Sequence, residues 1–157
     1  MIELHLPKPE ELHFKQTMLA DGETMSYNHA FGGTIDFPRE RWATWYERWI
    51  NNHENKRFYR YIKGDGIFIG EVAYHRDEQR QIWLADVVVY APYRGRGYGR
   101  AALQLLCDAA QARGIRELYD EIAIDNPAIA LFLSCGFYEV LRTEDSILIK
   151  KELGSLS

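Results

Sequence analysis

Hydrophobic and polar residues in the first third of the chain follow patterns typical of one strand and two helices. Residues 2–6 predict a strand, and a helical stretch follows Pro9 and runs to about Ala20. Pro38 suits the first position of a second helix, in which large apolar side chains recur at offsets of three and four: Trp42, Trp45, Tyr46, Trp49 and Ile50. This spacing places them on one helical face, which we expect to pack in the core or against a second copy of the chain.

The middle of the chain predicts three consecutive antiparallel strands. The runs at residues 58–63 and 67–75 flank a Lys-Gly-Asp-Gly turn, whose glycines tolerate the positive φ angles of a tight hairpin. A polar turn at residues 77–81 leads to a third strand at residues 82–90, which ends in Val87, Val88 and Val89. Because these valines make the strand apolar on both faces, we expect it to lie at the centre of its sheet.

The second half of the chain predicts two more helices and three more strands. Residues 97–113 carry apolar side chains with a helical period, and Gly114 suits the left-handed end of that helix. A strand at residues 118–124, a short helix at 127–135 and two strands at 137–142 and 146–151 follow. The whole pattern predicts one mixed α/β domain over residues 1–153 and a loose tail at residues 154–157.

Composition narrows the classes of function. The chain has 157 residues, 46% of them hydrophobic, and a formal net charge of -4, which disfavours nucleic acid as a partner because such binding depends on clustered Lys and Arg. No apolar run approaches the roughly 18 residues of a membrane-spanning helix, and the first residues lack the pattern of a secretory signal. Cys107 and Cys135 are not spaced like metal ligands or a redox pair. We expect a cytoplasmic protein that uses no metal and binds neither nucleic acid nor membrane.

The most informative segment joins the valine strand to the long helix. A helix that starts here leaves several backbone N–H groups without partners and carries partial positive charge, so it favours an anion. Three glycines leave room for a diphosphate and three arginines supply charge nearby: Gly95, Gly97 and Gly99, with Arg94, Arg96 and Arg100. The spacing is neither that of a nucleoside triphosphate loop nor that of a dinucleotide fingerprint, which disfavours ATP and NAD.

Arg94, Gly97 and Gly99 instead match the pattern [Arg/Gln]-x-x-Gly-x-[Gly/Ala], directly after the valines. This loop resembles the acyl-CoA loop of the GNAT N-acetyltransferase superfamily, and residues 125–132 with the following Gly136 and Phe137 resemble its second motif. The resemblance implies a central mixed, largely antiparallel sheet of about six or seven strands, flanked by about four helices. It also implies that the sheet splays open around the acyl-CoA site, between the strand ending at Val89 and the strand ending near residue 124.

The resemblance further implies acetyl-CoA as co-substrate. A main-chain N–H near Val88 or Val89 would polarise the thioester carbonyl, and Asn126 would bind the pantetheine arm. The residues implied to contact acetyl-CoA are Val87, Val88, Val89, Arg94, Gly95, Arg96, Gly97, Tyr98, Gly99, Arg100, Asn126 and Phe132.

The sequence departs from the family pattern at Phe132, where relatives usually carry a Tyr that protonates the departing thiolate. Three interpretations stay open. Tyr138, Tyr98 or Cys135 replaces that acid; the thiolate leaves unassisted or through water; or the protein is a catalytically silent acyl-CoA-binding or sensor module. The attacking amine also needs a base, because an alkylamine with a pKa of about 10.4 is protonated at neutral pH. The candidates are Glu121, by resemblance, and Asp86, a carboxylate within an apolar strand.

The acceptor side is implied by resemblance to include the segment between the first two helices. Tyr27, His29 and Phe31 are its candidate substrate-binding residues. Taken together, these features predict an acetyl-CoA-dependent N-acetyltransferase acting on a primary amine of a small molecule, amino acid or peptide by direct attack in a ternary complex. A homodimer is a possible assembly.

Overall fold

The computed structural model describes residues 1–154, except for the side chains of residues 30 and 31. Within that part of the chain, the α-helices are α1 Leu12–Ala20, α2 Trp42–Tyr46, α3 Tyr98–Ala112 and α4 Ala128–Ser134. The strands are β1 Ile2–His5, β2 Arg57–Gly64, β3 Ile67–Asp77, β4 Ile82–Val89, β5 Glu117–Ala123, β6 Tyr138–Arg142 and β7 Ser146–Glu152. The order of elements and the mixed α/β class are those predicted.

The strands form one sheet in the order β1-β2-β3-β4-β5-β7-β6. All neighbours are antiparallel except β4 and β5, which are parallel and meet at one residue pair, Leu84 with Tyr119. On its other side β4 stays paired with β3 as far as Val89, opposite Gly70. The carboxyl-terminal halves of β4 and β5 therefore diverge, which confirms the expected splay in the sheet and opens a cleft there.

One face of the sheet is covered by α3. The helix is amphipathic, and its apolar stripe includes Leu103, Leu106 and Cys107, all fully or almost fully buried. The sheet side of this core includes Val72 and Leu118. This packing sets α3 across the sheet with its first turn at the carboxyl end of β4, because β4 leads into the helix through a short loop.

The opposite face carries α1, α2 and an aromatic cluster. Pro38 does not begin the second helix: it has an extended ψ of 156° and precedes a short 3₁₀ turn, so that α2 starts at Trp42 and then continues as a π-helical turn. Trp45 stacks on Trp49 at 6.4 Å between ring centroids and meets Tyr59 of β2 edge-on at 4.7 Å. The predicted core role of this tryptophan face is confirmed for Trp45 and Trp49. Among the described residues, no helix combines the length and apolar character needed to cross a bilayer.

Candidate active site

The cleft between the diverging strands has a volume of about 910 Å³. Its floor comes from β4 and β5, one end from the loop before α3, and the other end from α1 and the segment after it. Most of the candidate site residues line it: Tyr27, His29, Asp86, Val87, Val88, Val89, Arg94, Gly95, Gly97, Tyr98, Gly99, Arg100, Glu121, Asn126 and Phe132. Arg96 and Tyr138 do not line it, and the side chain of Phe31 lies outside the described residues.

The start of α3 forms one end of the cleft. Gly95 and Gly97 have φ angles of 78° and 82°, in the left-handed region that favours glycine, and Gly97 is the residue before the first helical one. Gly99 is required for a different reason: a Cβ there would lie 3.2 Å from Leu131 and 3.4 Å from Val89. The glycines therefore let the chain turn sharply and bring the exposed N–H groups of the first helical turn against β4.

The side chain of Arg94 holds this loop together instead of projecting free charge. Its guanidinium donates to three backbone carbonyls, those of Val89 at 3.2 Å, Glu23 at 3.3 Å and Thr24 at 2.6 Å. Because its donors are used on carbonyls, Arg94 holds the loop in position, and its contact with a diphosphate stays a prediction.

Thr24 ties the segment after α1 to the same loop, and no pattern in the sequence pointed to it. Its side chain is fully buried; the hydroxyl accepts from the N–H of Ala91 at 2.9 Å and donates to Asp21 at 2.5 Å. The hydrogen bonds from Thr24 lower the pKa of the Asp21 carboxyl. The loop before α3 and the segment after α1 are thus joined by side-chain hydrogen bonds between residues that lie far apart in sequence.

Asp86 and Glu121 both line the cleft but differ in their surroundings. Glu121 is exposed and accepts from Arg80 at 3.4 Å. Asp86 is also exposed, on the cleft side of β4. The protein around it and the charge of Glu71 raise its pKa to about 6 against the opposing effect of Lys15. A carboxyl with that pKa can accept a proton at neutral pH and release it again.

Asp120 is a cleft residue that sequence reasoning missed. Burial and then the charge of Asp86 raise its pKa well above the ordinary value. Asp120 and Glu121 are adjacent on one strand, and the sequence pattern is compatible with either carboxylate lying on the protein surface. Only the divergence of β4 and β5 brings Asp120 to the cleft.

Lys15, Glu71 and Tyr59 form a buried polar cluster at the end of the cleft built by α1 and the segment after it. Lys15 is 7% exposed and donates to Glu71 Oε1 at 2.9 Å, and the Tyr59 hydroxyl donates to the same oxygen at 2.5 Å. The Lys15 ammonium also lies over the rings of Phe37, Trp45 and Tyr59, at 5.6, 4.9 and 4.7 Å from their centroids. Both Lys15 and Glu71 line the cleft, so this cluster builds its wall.

The second motif supports the other wall. Asn126 Oδ1 accepts from the N–H of Ala128, the first residue of α4, at 2.9 Å, and Asn126 lines the cleft. Phe132 is 1% exposed and meets Phe137 edge-on at 5.0 Å between ring centroids. It supplies packing and has no proton to give.

Of the three alternative proton donors, the structure brings one to the cleft. Tyr98 lines it, at the first residue of α3. The Tyr138 hydroxyl instead donates to Glu152 at 2.8 Å, on β6 at the far edge of the sheet, and Cys135 is not among the lining residues. Tyr98 is therefore the donor that geometry favours among these three.

The segment after α1, predicted to contact the acceptor, lines the cleft with Tyr27 and His29. His29 Nε2 lies 2.9 Å from Asp125 Oδ2, which links this segment to the loop after β5. Tyr27 lies deeper, where burial and the nearby Asp86 charge raise the pKa of its hydroxyl. In the described part of the chain, no group of three or more His, Cys, Asp or Glu side chains is arranged to hold a metal ion.

Solved structures share this fold. A spermidine N-acetyltransferase from Vibrio cholerae, crystallised with CoA and spermine, aligns with a TM-score of 0.81 and 17% identity over 97% of this chain and 95% of that protein. The yncA protein of Salmonella typhimurium, solved with acetyl-CoA, aligns with a TM-score of 0.74 and 18% identity over 100% and 96% of the two chains. At these identities the likeness establishes the fold.

Similarity in sequence is more local. An uncharacterized N-acetyltransferase of Bacillus subtilis, YycN, is 36% identical over 74 residues, which are 46% of this chain and 45% of that protein. The chain spans less than half the length of the curated relatives that it matches. The match to the family as a whole is longer, running from residue 22 to residue 137 and including the glycine loop and the second motif. The chain therefore belongs to the Acetyltransferase (GNAT) family.

Proposed function

We propose that the protein is an N-acetyltransferase that transfers the acetyl group of acetyl-CoA to a primary amine of a small molecule, amino acid or peptide. Transfer occurs by direct attack in a ternary complex. One observation carries the proposal: a single cleft joins a glycine-lined helix N-terminus, suited to a diphosphate, to a carboxyl with a pKa of about 6.

The end of the cleft at the loop before α3, here called the donor end, supplies backbone groups for acetyl-CoA. Apart from the two chain neighbours of each glycine, no atom of the described residues lies within 4 Å of where a Cβ on Gly95 or Gly97 would be, so a diphosphate has room beside the loop. The N–H of Tyr90 donates to Ile69 on β3 at 2.9 Å. Because N–H groups along a strand point alternately to its two neighbours, the N–H of Val89 points toward the gap beside β5. We assign Val89 as the donor that polarises the thioester carbonyl, and Asn126 as a contact of the pantetheine arm.

We call the other end of the cleft, toward α1 and the segment after it, the acceptor end. There we favour Asp86 as the base. The reaction needs an ammonium proton to leave before nitrogen can attack, and Asp86 accepts that proton and passes it to solvent. The nitrogen then forms the C–N bond and gives up its second proton, and the C–S bond breaks. The thiolate takes a proton from Tyr98 or from water, and the proton lost by nitrogen restores the group that gave it. The products are an N-acetylamine, CoA and one proton. Glu121 is the second choice, because its carboxylate already faces Arg80.

The test combines binding with turnover. Acetyl-CoA and CoA at about a hundred times their Kd should each stabilise the fold by about 2.7 kcal/mol, which raises Tm by about 5–10 °C, whereas ATP and NAD should not. Release of free thiol from acetyl-CoA, measured across a panel of primary amines, should show multiple turnovers.

Two outcomes would count against the proposal. Stabilisation by acetyl-CoA without thiol release from any amine would favour a silent acyl-CoA-binding module, for which the missing hydroxyl at Phe132 is the structural motive. If neither acetyl-CoA nor CoA changed Tm, the assignment of the glycine loop would be refuted.

A further inference from the structure

We infer that Thr24 is a positioning residue for acetyl transfer. Its buried hydroxyl sets the distance between the segment after α1, whose next residues line the acceptor end, and the end of β4, where we assign the donor to the thioester. The inference rests on the proposed function and deepens it. It comes from hydrogen bonds between two segments that lie 67 to 71 positions apart in the chain.

The Thr24 hydroxyl has a fixed partner on each side. It accepts from the N–H of Ala91 at 2.9 Å and donates to Asp21 Oδ2 at 2.5 Å. The hydrogen bonds from Thr24 lower the pKa of Asp21, so this group is a carboxylate at neutral pH and can only accept. A backbone N–H can only donate. The hydroxyl is therefore held in one orientation between the two groups.

The position of Thr24 in the chain makes this bond a short link between the two ends of the cleft. Tyr27 and His29 follow Thr24 within five residues and line the cleft. On the other side of the bond, Ala91 lies two residues after Val89, whose N–H we assign to the thioester carbonyl. A shift at this bond therefore changes the distance between a bound amine and the thioester.

The chain between Thr24 and the cleft is itself held by backbone hydrogen bonds. The N–H of Met25 donates to the carbonyl of Asp21 at 3.0 Å, and the N–H of Asn28 donates to the carbonyl of Met25 at 2.9 Å. The side chain of Met25 is buried. Because Tyr27 lies within this bonded turn, a movement of Thr24 is passed on to the wall of the cleft.

Arg94 makes further bonds across the same gap but cannot set the spacing as closely. Its guanidinium donates to the carbonyls of Glu23 at 3.3 Å and Thr24 at 2.6 Å, and its side chain is exposed. An Arg side chain has several rotatable bonds and can follow a shift of its acceptors. The Thr24 side chain is short, β-branched and fully buried, so it has little rotational freedom. Its hydroxyl is therefore the contact that fixes the spacing.

Acetyl transfer is sensitive to this spacing. Reacting atoms must approach to about 3–3.5 Å, and a displacement of about 1 Å can lower a rate about a hundredfold. Thr24→Val keeps the shape of the side chain but leaves the N–H of Ala91 without its acceptor, so the chain shifts to find another. We expect kcat to fall about tenfold or more. The Kd of CoA should change less than about threefold, because the N–H groups at the start of α3 are unchanged.

Kinetics and calorimetric titration with CoA would compare three variants at a temperature at which each is folded. Besides Thr24→Val, Thr24→Ser keeps the hydroxyl and should recover kcat to within about threefold of the unaltered protein. Thr17→Val is the control: it removes an exposed hydroxyl on α1 that donates to the carbonyl of His13 at 3.0 Å, outside the cleft, and should change neither quantity. If Thr24→Val lowered Tm without lowering the kcat of the folded protein, the inference would be overturned.

Amide hydrogen exchange, followed by NMR on the CoA-bound and the free protein, tests the link without turnover. In the unaltered protein the N–H of Ala91 should exchange as slowly as that of Tyr90, which donates to Ile69 on β3. Thr24→Val should speed exchange about tenfold or more at both Ala91 and Asn28, and not at Tyr90. Fast exchange at Ala91 in the unaltered protein, or a change in the variant confined to Ala91, would contradict the inference.

The two readouts separate this inference from the proposed function. If no amine released thiol from acetyl-CoA, the transferase would be contradicted, and exchange at Asn28 would decide on its own whether Thr24 holds the segment after α1. Thiol release as fast in Thr24→Val as in the unaltered protein would leave the transferase intact and contradict the role of Thr24.

Discussion

Replacing Lys15 with Met is the sharpest test of how the acceptor wall is held together. The Lys15 ammonium is buried, bonds Glu71 at 2.9 Å and lies over three aromatic rings. Met keeps the length and apolar stem of the side chain but removes the cation. The Glu71 carboxylate then stays buried with the Tyr59 hydroxyl as its remaining hydrogen-bond donor among the described residues.

Removing one partner of a buried ion pair lowers the free energy of unfolding by about 3–5 kcal/mol, because the other charge stays buried without a partner. A chain of 157 residues has an unfolding entropy that converts each kcal/mol into about 3 °C, so Tm should fall by about 9–15 °C at pH 8.

Differential scanning calorimetry at pH 8 measures this loss. Lys56→Met is the matched control, because Lys56 makes an equally short ion pair with Glu78, at 3.0 Å, but both side chains are at least half exposed. That variant should lose less than about 1 kcal/mol. The double variant Lys15→Met with Glu71→Gln should recover much of the loss. If Lys15→Met were no more destabilising than Lys56→Met, the reasoning about the buried pair would be refuted.

Three further predictions concern the donor end and the base. Gly97→Glu should lower CoA affinity by about a hundredfold or more, because it sets a carboxylate against the diphosphate, whereas Gly114→Glu, at a similar φ of 84° at the other end of α3, should leave affinity unchanged in the same titration. Asp86→Asn should lower kcat/KM about a hundredfold or more. In the unaltered protein kcat/KM should rise with pH up to about 6, as this carboxyl loses its proton, and this rise should be absent from the pH profile of the variant. Arg94→Met removes three charge-assisted hydrogen bonds and should lower stability by about 2–4 kcal/mol in a denaturant titration; a loss below about 0.5 kcal/mol would show that these bonds do not hold the loop.

The donor end could be anticipated because its signals are local. A strand, a glycine-rich turn and an amphipathic helix follow one another within about thirty residues, and each is governed by neighbours a few positions away. The left-handed φ of Gly95 and Gly97 and the start of α3 at Tyr98 agree with that prediction of secondary structure. Which groups actually bind acetyl-CoA stays a prediction for the binding experiments.

The acceptor end could not be anticipated in the same way. Lys15 and Glu71 are 56 positions apart, and Arg94 reaches carbonyls about seventy positions earlier in the chain. No periodic pattern in the sequence predicts either contact. Tyr138 was a candidate proton donor because it follows the second motif in sequence. In the structure it lies on an edge strand and does not line the cleft.

The sequence by itself therefore determined the order of strands and helices, the position of the glycine loop and the family resemblance, because backbone preferences and hydrophobic periodicity act over short distances along the chain. Tertiary structure alone decided which carboxylates face the cleft, how Lys15 is neutralised and what Arg94 holds. Those outcomes depend on where β4 and β5 part and on how α1 packs across the sheet, and long-range packing of this kind leaves no local pattern to read.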